Sequence, residues 1–245
     1  MLDYQAPPTL LAGKCILITG ATAGIGRTAA LTFAAHGAQL VLLGRDPLKL
    51  RQLCEEIGAS GALLPRYGVL DLATASQATT RACIAALALT RLDGLLLNAG
   101  VLGTLGPLAE LDEQEWQRVL QVNVSANLWL IQTCLPLLQQ APQASLLLTS
   151  SGVGKRGRAG WGSYAISKFA TEGMMQVLAD ELAGTGVRVN AINPGATRTA
   201  MRAAAKPDED PLTLRTPAEL MPLYLYLMGQ HSLGLTGQSW DAQSK

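Results

Sequence analysis

Short apolar runs alternate along this chain with longer stretches of helical period. Cys15-Ile16-Leu17-Ile18 is the first run, and it ends in a glycine-rich loop. An alanine-rich helical stretch follows from Arg27 to His36, where Gly37 stops it. Leu40-Val41-Leu42-Leu43 is the second run, and Asp46-Pro47 behind it suits a helix N-cap and first helical position. Leu95-Leu96-Leu97, Leu146-Leu147-Leu148 and Val187 to Ile192 repeat the pattern, with helical segments between them. Runs that are apolar throughout suit strands of a parallel sheet buried on both faces. The alternation predicts an α/β fold, a doubly wound Rossmann-type parallel sheet of about seven strands with helices on both faces. One domain is expected over 1–245, with an N-terminal extension at 1–11 and two substrate-side loops at 152–162 and 199–217.

Composition agrees with a large packed core. The chain has 245 residues, 49% of them hydrophobic and 15% charged, which argues against long disordered stretches. The formal net charge is +1 and 4% of residues are aromatic. A nucleic-acid binder needs a basic surplus and stacking rings, so no nucleic-acid partner is expected. The opening MLDYQAPPTLLAGK lacks the basic segment, apolar core and small-residue cleavage site of a signal peptide. No run of about 18 apolar residues offers a membrane span. A cytoplasmic protein with no membrane partner is therefore the expectation. Cys15, Cys54, Cys83 and Cys134 are scattered without a CxxC pair, which suits reduced, buried thiols. His36 and His231 have no ligand-spaced partners, so no metal is expected.

In a doubly wound sheet, ligands bind outside the carboxyl ends of the strands. The candidate sites lie there. Thr19-Gly20-Ala21-Thr22-Ala23-Gly24-Ile25-Gly26 links the first strand to the first helix. Its glycines let the backbone turn sharply towards a pyrophosphate, and the helix N-terminus offers free N–H groups. The spacing is GxxxGxG rather than GxGxxG. Its position still points to a dinucleotide, with Gly20, Thr22, Gly24, Ile25 and Gly26 as contacts. The second strand ends Leu43-Gly44-Arg45. An acidic residue there would accept from the ribose hydroxyls of NAD. Gly44 does not, whereas Arg45 can pair with a 2′-phosphate, so NADP(H) is expected in preference to NAD(H). Asp46 reads better as the helix cap, Ala23 adds no second basic group, and Lys49 is a weak helper. Asp71, after the third apolar stretch, suits either an adenine contact or another helix cap. Asn98-Ala99-Gly100 follows the fourth strand, where Gly100 allows close approach to a ribose and Asn98 can tie two strands together.

Tyr164 and Lys168 are spaced i, i+4, so on a helix they share one face. A free tyrosine titrates at about pH 10. A neighbouring ammonium favours the phenolate, which is the tuning a general acid/base requires. Ser151 lies thirteen residues before Tyr164, at the mouth of the fifth strand. Its hydroxyl can donate to a carbonyl oxygen as negative charge develops there. Asn123, in the preceding long helix, can hold a water or backbone group that links Lys168 to solvent.

Together these pieces resemble the short-chain dehydrogenase/reductase family in its short single-domain branch. TGATAGIG at 19–26, Asn98-Ala99-Gly100, Asn123, Ser151, Tyr164-Ala165-Ile166-Ser167-Lys168 and Asn193-Pro194-Gly195 occur in the family's order. The resemblance implies a catalytic tetrad of Asn123, Ser151, Tyr164 and Lys168. It implies that Tyr164 and Lys168 also meet the cofactor, Lys168 at the nicotinamide ribose. Pro194 and Gly195, with Thr197 or Thr199, are implied to hold the carboxamide, and Thr199 fits the family spacing better. Ser150 is the alternative to Ser151, one residue too far from Tyr164. The segment 193–202 and the ending Trp240-Asp241-Ala242-Gln243 are similar to the YciK-type oxidoreductases of bacteria. Two positions depart from the family pattern. Leu97 stands where many members have asparagine, and Asp241-Ala242-Gln243 replaces a common Asp-Gly-Gly. A homodimer or homotetramer built on helices near 112–138 and 161–184 is also implied.

Lys155, Arg156 and Arg158 lie between Ser151 and Tyr164, and Arg198 and Arg202 follow the cofactor loop. They suit a solvated basic rim better than a site for an anionic substrate group. Trp161 either walls the pocket or packs the loop. The segment after Met201 is short, which predicts a modest lid and a small substrate. The expected activity is hydride transfer between NADP(H) and a small carbonyl or alcohol, an oxidoreductase acting on CH–OH/C=O groups. A dinucleotide-sensing regulator would share the glycine loop but has no need of the tetrad. An epimerase or dehydratase of the longer, two-domain kind does not fit the length.

Overall fold

The computed structural model describes residues 3–243. Its strands are β1 (Cys15–Thr19), β2 (Gln39–Gly44), β3 (Arg66–Val69), β4 (Gly94–Leu97), β5 (Ala144–Thr149), β6 (Val187–Asn193) and β7 (Gln238–Asp241). They form one sheet in the order β3-β2-β1-β4-β5-β6-β7, and every pairing is parallel. The helices are α1 (Gly24–Ala35), α2 (Pro47–Ala59), α3 (Gln77–Ala86), α4 (Glu113–Leu120), α5 (Ala126–Leu138), α6 (Gly152–Lys155), α7 (Gly162–Glu181), α8 (Ala200–Ala205) and α9 (Met221–Met228). This is the doubly wound sheet that the sequence predicts.

The apolar runs have a simple cause. Successive side chains of a strand point to opposite faces, and here both faces are covered. Leu17, Leu95, Leu97, Leu146 and Leu148 enter one core with Leu130 and Ile131 of α5 and Met175 of α7. Ile16, Ile18, Leu96 and Leu147 enter the other, with Phe33 of α1, Leu50 of α2 and Tyr224 of α9. Each such leucine contributes about 1.5–3 kcal/mol by leaving water. The edge strands β3 (RYGV) and β7 (QSWD) are only half covered and carry no apolar run.

Capping separates two of the sequence expectations. Asp46 caps α2, accepting from the N–H of Leu48 and Lys49 at 3.0 and 3.2 Å. Asp71 caps no helix. α3 starts behind Ser76, which forms a reciprocal box with Thr79, while Asp71 Oδ1 accepts from Ala73 N at 3.0 Å. The long helix expected near 112–138 is broken into α4 and α5 by a π-helical turn, Gln121–Ser125, which contains Asn123. Such turns are common at functional sites because they push one residue out of the helical period. The N-terminal segment 1–11, apart from residues 1 and 2, which lie outside the described range, is not a loose appendage. Leu10 and Leu11 are buried in the α1–α9 core, and the Tyr4 ring packs edge-on against Tyr226.

Strand order reverses at β1 and β4: one half of the chain runs outward to β3, the other to β7. The crevice above that switch point is where such a sheet holds ligands.

Candidate active site

A cleft of about 440 Å³ opens at this place. Its floor at the β1 end is the glycine loop, with Gly20, Thr22, Gly24 and Ile25 lining it. The loop is pinned to β4. Thr19 Oγ1 accepts from the N–H groups of Asn98 and Ala99, both at 3.0 Å, and Asn98 Nδ2 reaches Thr19 O at 3.4 Å. Asn98 thus ties the two strands as expected. Gly26 does not line the cleft, which corrects its assignment as a contact. It is buried beneath the loop, where a Cβ would collide with the Gly20 carbonyl and the Asn98 side chain. Its role is packing that lets the loop lie flat. The N-cap of α1 is Ala23, which offers no side-chain cap, so the helix presents uncapped N–H groups to the cleft.

Arg45 stands exposed at the lip, directly behind β2, and lines the cleft with Asp71. Lys49 leans on Asp46 at 3.8 Å rather than on the cleft. Ala99 and Gly100 line the middle, where a Cβ on Gly100 would come within 3.3 Å of Asn123 Oδ1. Uncapped helix N–H groups, glycine backbone and a lone arginine at the lip are the donor set that a phosphorylated dinucleotide requires.

α7 carries the reactive side chains. Tyr164 and Lys168 share its buried face, 8% and 4% exposed. Lys168 Nζ lies 5.6 Å from the Tyr164 ring centre and donates to the Thr149 carbonyl at 2.7 Å. Burial pushes the Tyr164 phenol up, and a hydrogen bond from Ser151 pulls it part of the way back. The expectation that Lys168 leaves Tyr164 more acidic than a free tyrosine is therefore corrected. Desolvation wins, and the phenol holds its proton at neutral pH. The same burial brings Lys168 down to about 8, although Glu172, one turn further along α7, acts in the opposite direction.

Both serine alternatives line the cleft, and their hydrogen bonds separate them. Ser150 donates to Glu172 Oε1 at 2.5 Å, and Ser239 donates to the same oxygen at 2.8 Å. Ser151 lines the cleft beside Tyr164. Asn123 is 1% exposed and lies behind the cleft wall. Its Oδ1 accepts from Val101 N at 2.8 Å, and its Nδ2 donates to Val101 O at 2.9 Å and Ser167 Oγ at 3.0 Å. Its own carbonyl accepts from Asn127 Nδ2 at 2.8 Å. Asn123 therefore locks the loop after β4 onto α7. Ser167 and Glu172 were not singled out from sequence. Ser167 lies inside the Tyr164–Lys168 motif, one residue before Lys168, and the signal for Glu172 is helical spacing, one turn after it.

Pro194, Gly195, Thr197 and Thr199 line the far end. Thr197 is 3% exposed, and its hydroxyl turns inward to Pro194 O and Gly195 O, both at 3.3 Å. Thr199 caps α8 through Arg202 N at 3.2 Å. The basic rim is largely committed to the protein itself. Lys155 meets Asp241 at 2.9 Å, Arg198 donates to the carbonyls of Pro211, Leu212 and Leu214, and Arg202 forks onto Glu209. Trp161 lines the cleft, its ring centre 5.9 Å from that of Tyr164, so it does both of the jobs considered for it.

Among the described residues, no cluster of three His, Cys, Asp or Glu could hold a metal, and no helix is long and apolar enough to cross a membrane. The four cysteines are free. Cys54 and Cys134 are buried, whereas Cys15 and Cys83 are only half so.

Comparison with known proteins agrees with this geometry. The family model for short chain dehydrogenase matches residues 14–210. Escherichia coli K12 has a protein named "Uncharacterized oxidoreductase YciK" that is 52% identical over 244 residues, 99% of this chain and 96% of the relative. A short chain dehydrogenase from Shigella flexneri 2a, solved in complex with NADP, is 51% identical with a TM-score of 0.95, covering 97% of this chain and 100% of that one. One from Escherichia coli CFT073, in complex with NADPH, is 52% identical at the same TM-score and the same coverage. With its sheet order, glycine loop and Ser151–Tyr164–Lys168 cluster, the chain belongs to the short-chain dehydrogenase family of oxidoreductases.

Proposed function

We propose that this protein transfers a hydride between NADP(H) and a small carbonyl or alcohol, with Tyr164 as the proton donor in reduction and acceptor in oxidation. NADPH supplies the hydride when bound. The glycine loop and the α1 N-terminus cradle its pyrophosphate, and Arg45 pairs with its 2′-phosphate. The NADP and NADPH complexes of the two related dehydrogenases support that choice. Pro194, Gly195, Thr197 and Thr199 take the nicotinamide end.

The observation that carries the reading is the buried meeting of Ser151, Tyr164 and Lys168 in one cleft. A carbonyl oxygen seated there accepts from Ser151 and Tyr164 together. The Tyr164 proton passes to that oxygen as negative charge grows on it. The phenolate left behind is stabilised by Ser151 and by the Lys168 ammonium. Because burial holds the phenol protonated at neutral pH, reduction starts from the correct protonation state. Lys168, near 8, is in turn the group closest to a working pKa for returning the proton. Exposed Leu128 on α5 and Ile166, Phe169 and Val177 on α7 support a homodimer or homotetramer. The protein works in the cytoplasm.

Tyr164→Phe tests this directly. NADPH binding, measured by calorimetry, should persist within a factor of about two, and consumption of NADPH with a panel of aldehydes and ketones should fall by about a thousandfold or more. Full turnover in the variant would remove Tyr164 from the chemistry.

A further inference from the structure

Gln243 stands where the family commonly has a glycine, and its side chain occupies a specific place. Its Nε2 donates to the carbonyls of Pro194 and Ala196 at 2.8 and 2.9 Å and lies 3.4 Å from Thr197 Oγ1. Only the amino end of the amide can face two carbonyls, so the hydrogen-bond network fixes its orientation. The fit is tight, because a Cβ on Gly195 (φ +72°) would come 3.0 Å from the Gln243 amide. The loop's other ties are Thr197 Oγ1 to the Pro194 and Gly195 carbonyls, both at 3.3 Å, and a parallel bridge between Thr197 and Arg215, in which Arg198 N donates to Arg215 O at 2.8 Å. Asn193 Oδ1 holds Gly195 N at 3.1 Å, and Ala242 N reaches Asn193 O at 2.9 Å. The segment behind β7 therefore grips the loop through residues that do not line the cleft.

We infer that Gln243 is a positioning residue for the nicotinamide end of the cofactor site: it draws the Pro194 and Ala196 carbonyls backwards and so sets the peptide between Ala196 and Thr197. In a trans peptide, N–H and C=O point in opposite directions. With the Ala196 carbonyl turned to Gln243, the Thr197 N–H faces away from it. Thr197 itself lines the cleft, so that N–H becomes a fixed donor for a carboxamide. An alanine at 243 would leave both carbonyls without this partner and loosen the peptide, held then from its C-terminal side by the bridge to Arg215. The inference rests on the proposed assignment of Pro194 to Thr199 as the nicotinamide loop. It adds a residue outside the family pattern.

The test compares two ligands on the full chain: NADPH, and adenosine 2′,5′-bisphosphate, which lacks the nicotinamide half. Gln243→Ala should weaken NADPH about tenfold, as for one or two lost hydrogen bonds, and leave adenosine 2′,5′-bisphosphate within about twofold. Gln243→Glu keeps the shape but turns a carboxylate towards two carbonyls, so it should weaken NADPH at least as much as alanine does. Equal loss of both ligands, no loss of either, or normal NADPH affinity in Gln243→Glu would overturn the inference while leaving the cofactor reading standing. Wild-type protein that binds neither ligand would overturn both.

Discussion

The ammonium of Lys168 lies 5.6 Å from the centre of the Tyr164 ring, on a largely buried helix face at the wall of the cleft. Such a placement costs stability. A lysine titrating at about 8 in the folded protein and at 10.5 when free is harder to protonate in the fold than out of it. Below pH 8 the folded protein carries a buried ammonium. Between 8 and 10.5 the unfolded chain binds more protons than the native one, so stability rises with pH in that window. Lys168→Met removes the charge and keeps the volume. At pH 7 the variant should be as stable as the wild type or more so, by on the order of 1–3 kcal/mol. The advantage should shrink as pH passes from 8 towards 10.5. Turnover should be lost. Thermal melts across pH check this, and a clear drop in melting temperature at pH 7 would show that the ammonium is stabilising instead.

Arg45 tests cofactor choice. It is the one cation lining the cleft directly behind β2, and Gly44 before it has no side chain to meet ribose hydroxyls. Arg45→Ala should weaken NADPH by about 10–100-fold, the worth of a charge-assisted pair, and NADH by no more than about twofold. Equal losses in calorimetric titrations would place Arg45 elsewhere in the site.

Gly154 belongs to no motif, yet it sets the position of Lys168. α6 crosses α7 so closely that a Cβ at 154 would lie 2.7 Å from the Lys168 carbonyl oxygen and 2.8 Å from its Cβ. Backbone contacts of that kind do not yield. Gly154→Ala should cost about 1–3 kcal/mol of stability and lower kcat at least tenfold through a displaced Lys168. Adenosine 2′,5′-bisphosphate, bound at the other end of the cleft, should keep its affinity. A variant with wild-type kcat would mean that α6 shifts without carrying Lys168 along.

What the sequence reveals follows from what each residue must satisfy. The central strands are legible because both faces are buried, so Leu95-Leu96-Leu97 needs no polar position. β3 and β7 are edge strands, and their half-covered residues leave no such run. Tyr164, Lys168 and Ser151 are legible because the family pattern carries them at a set spacing behind an apolar run. Glu172 and Gln243 are not, because each acts through groups distant in sequence: Ser150 and Ser239 for the one, Pro194 and Ala196 for the other. The π-helical turn that places Asn123 is invisible as well, since nothing in QVNVS departs from an ordinary helical stretch. For Tyr164, the i, i+4 lysine is visible in the sequence, whereas the burial that pushes the phenol up depends on the whole fold.

The last prediction concerns the substrate's charge. Arg118 and Arg202 both line the cleft, and an unpaired arginine there would favour a keto acid. Neither is unpaired. Arg118 forks onto Glu115 at 2.7 Å, and Arg202 meets both oxygens of Glu209 at 2.5 Å. The guanidinium beside Glu209 holds that carboxyl below the usual range, so the pair stays ionised through neutral pH. The remaining wall nearest Tyr164 is apolar, formed by Leu102 and Trp161. A carboxylate entering here would lose its water and find both of these arginines already matched, which costs more than it returns. An α-keto ester such as methyl benzoylformate should therefore be reduced with a kcat/KM about a hundredfold above that of benzoylformate itself, the same skeleton carrying a charge. Glu209→Gln releases Arg202 and should narrow the gap about tenfold, by improving the acid and leaving the ester unchanged. Steady-state assays of both compounds on both proteins decide the matter. A wild-type enzyme that prefers the acid would show that one of these arginines leaves its carboxylate to take the substrate's.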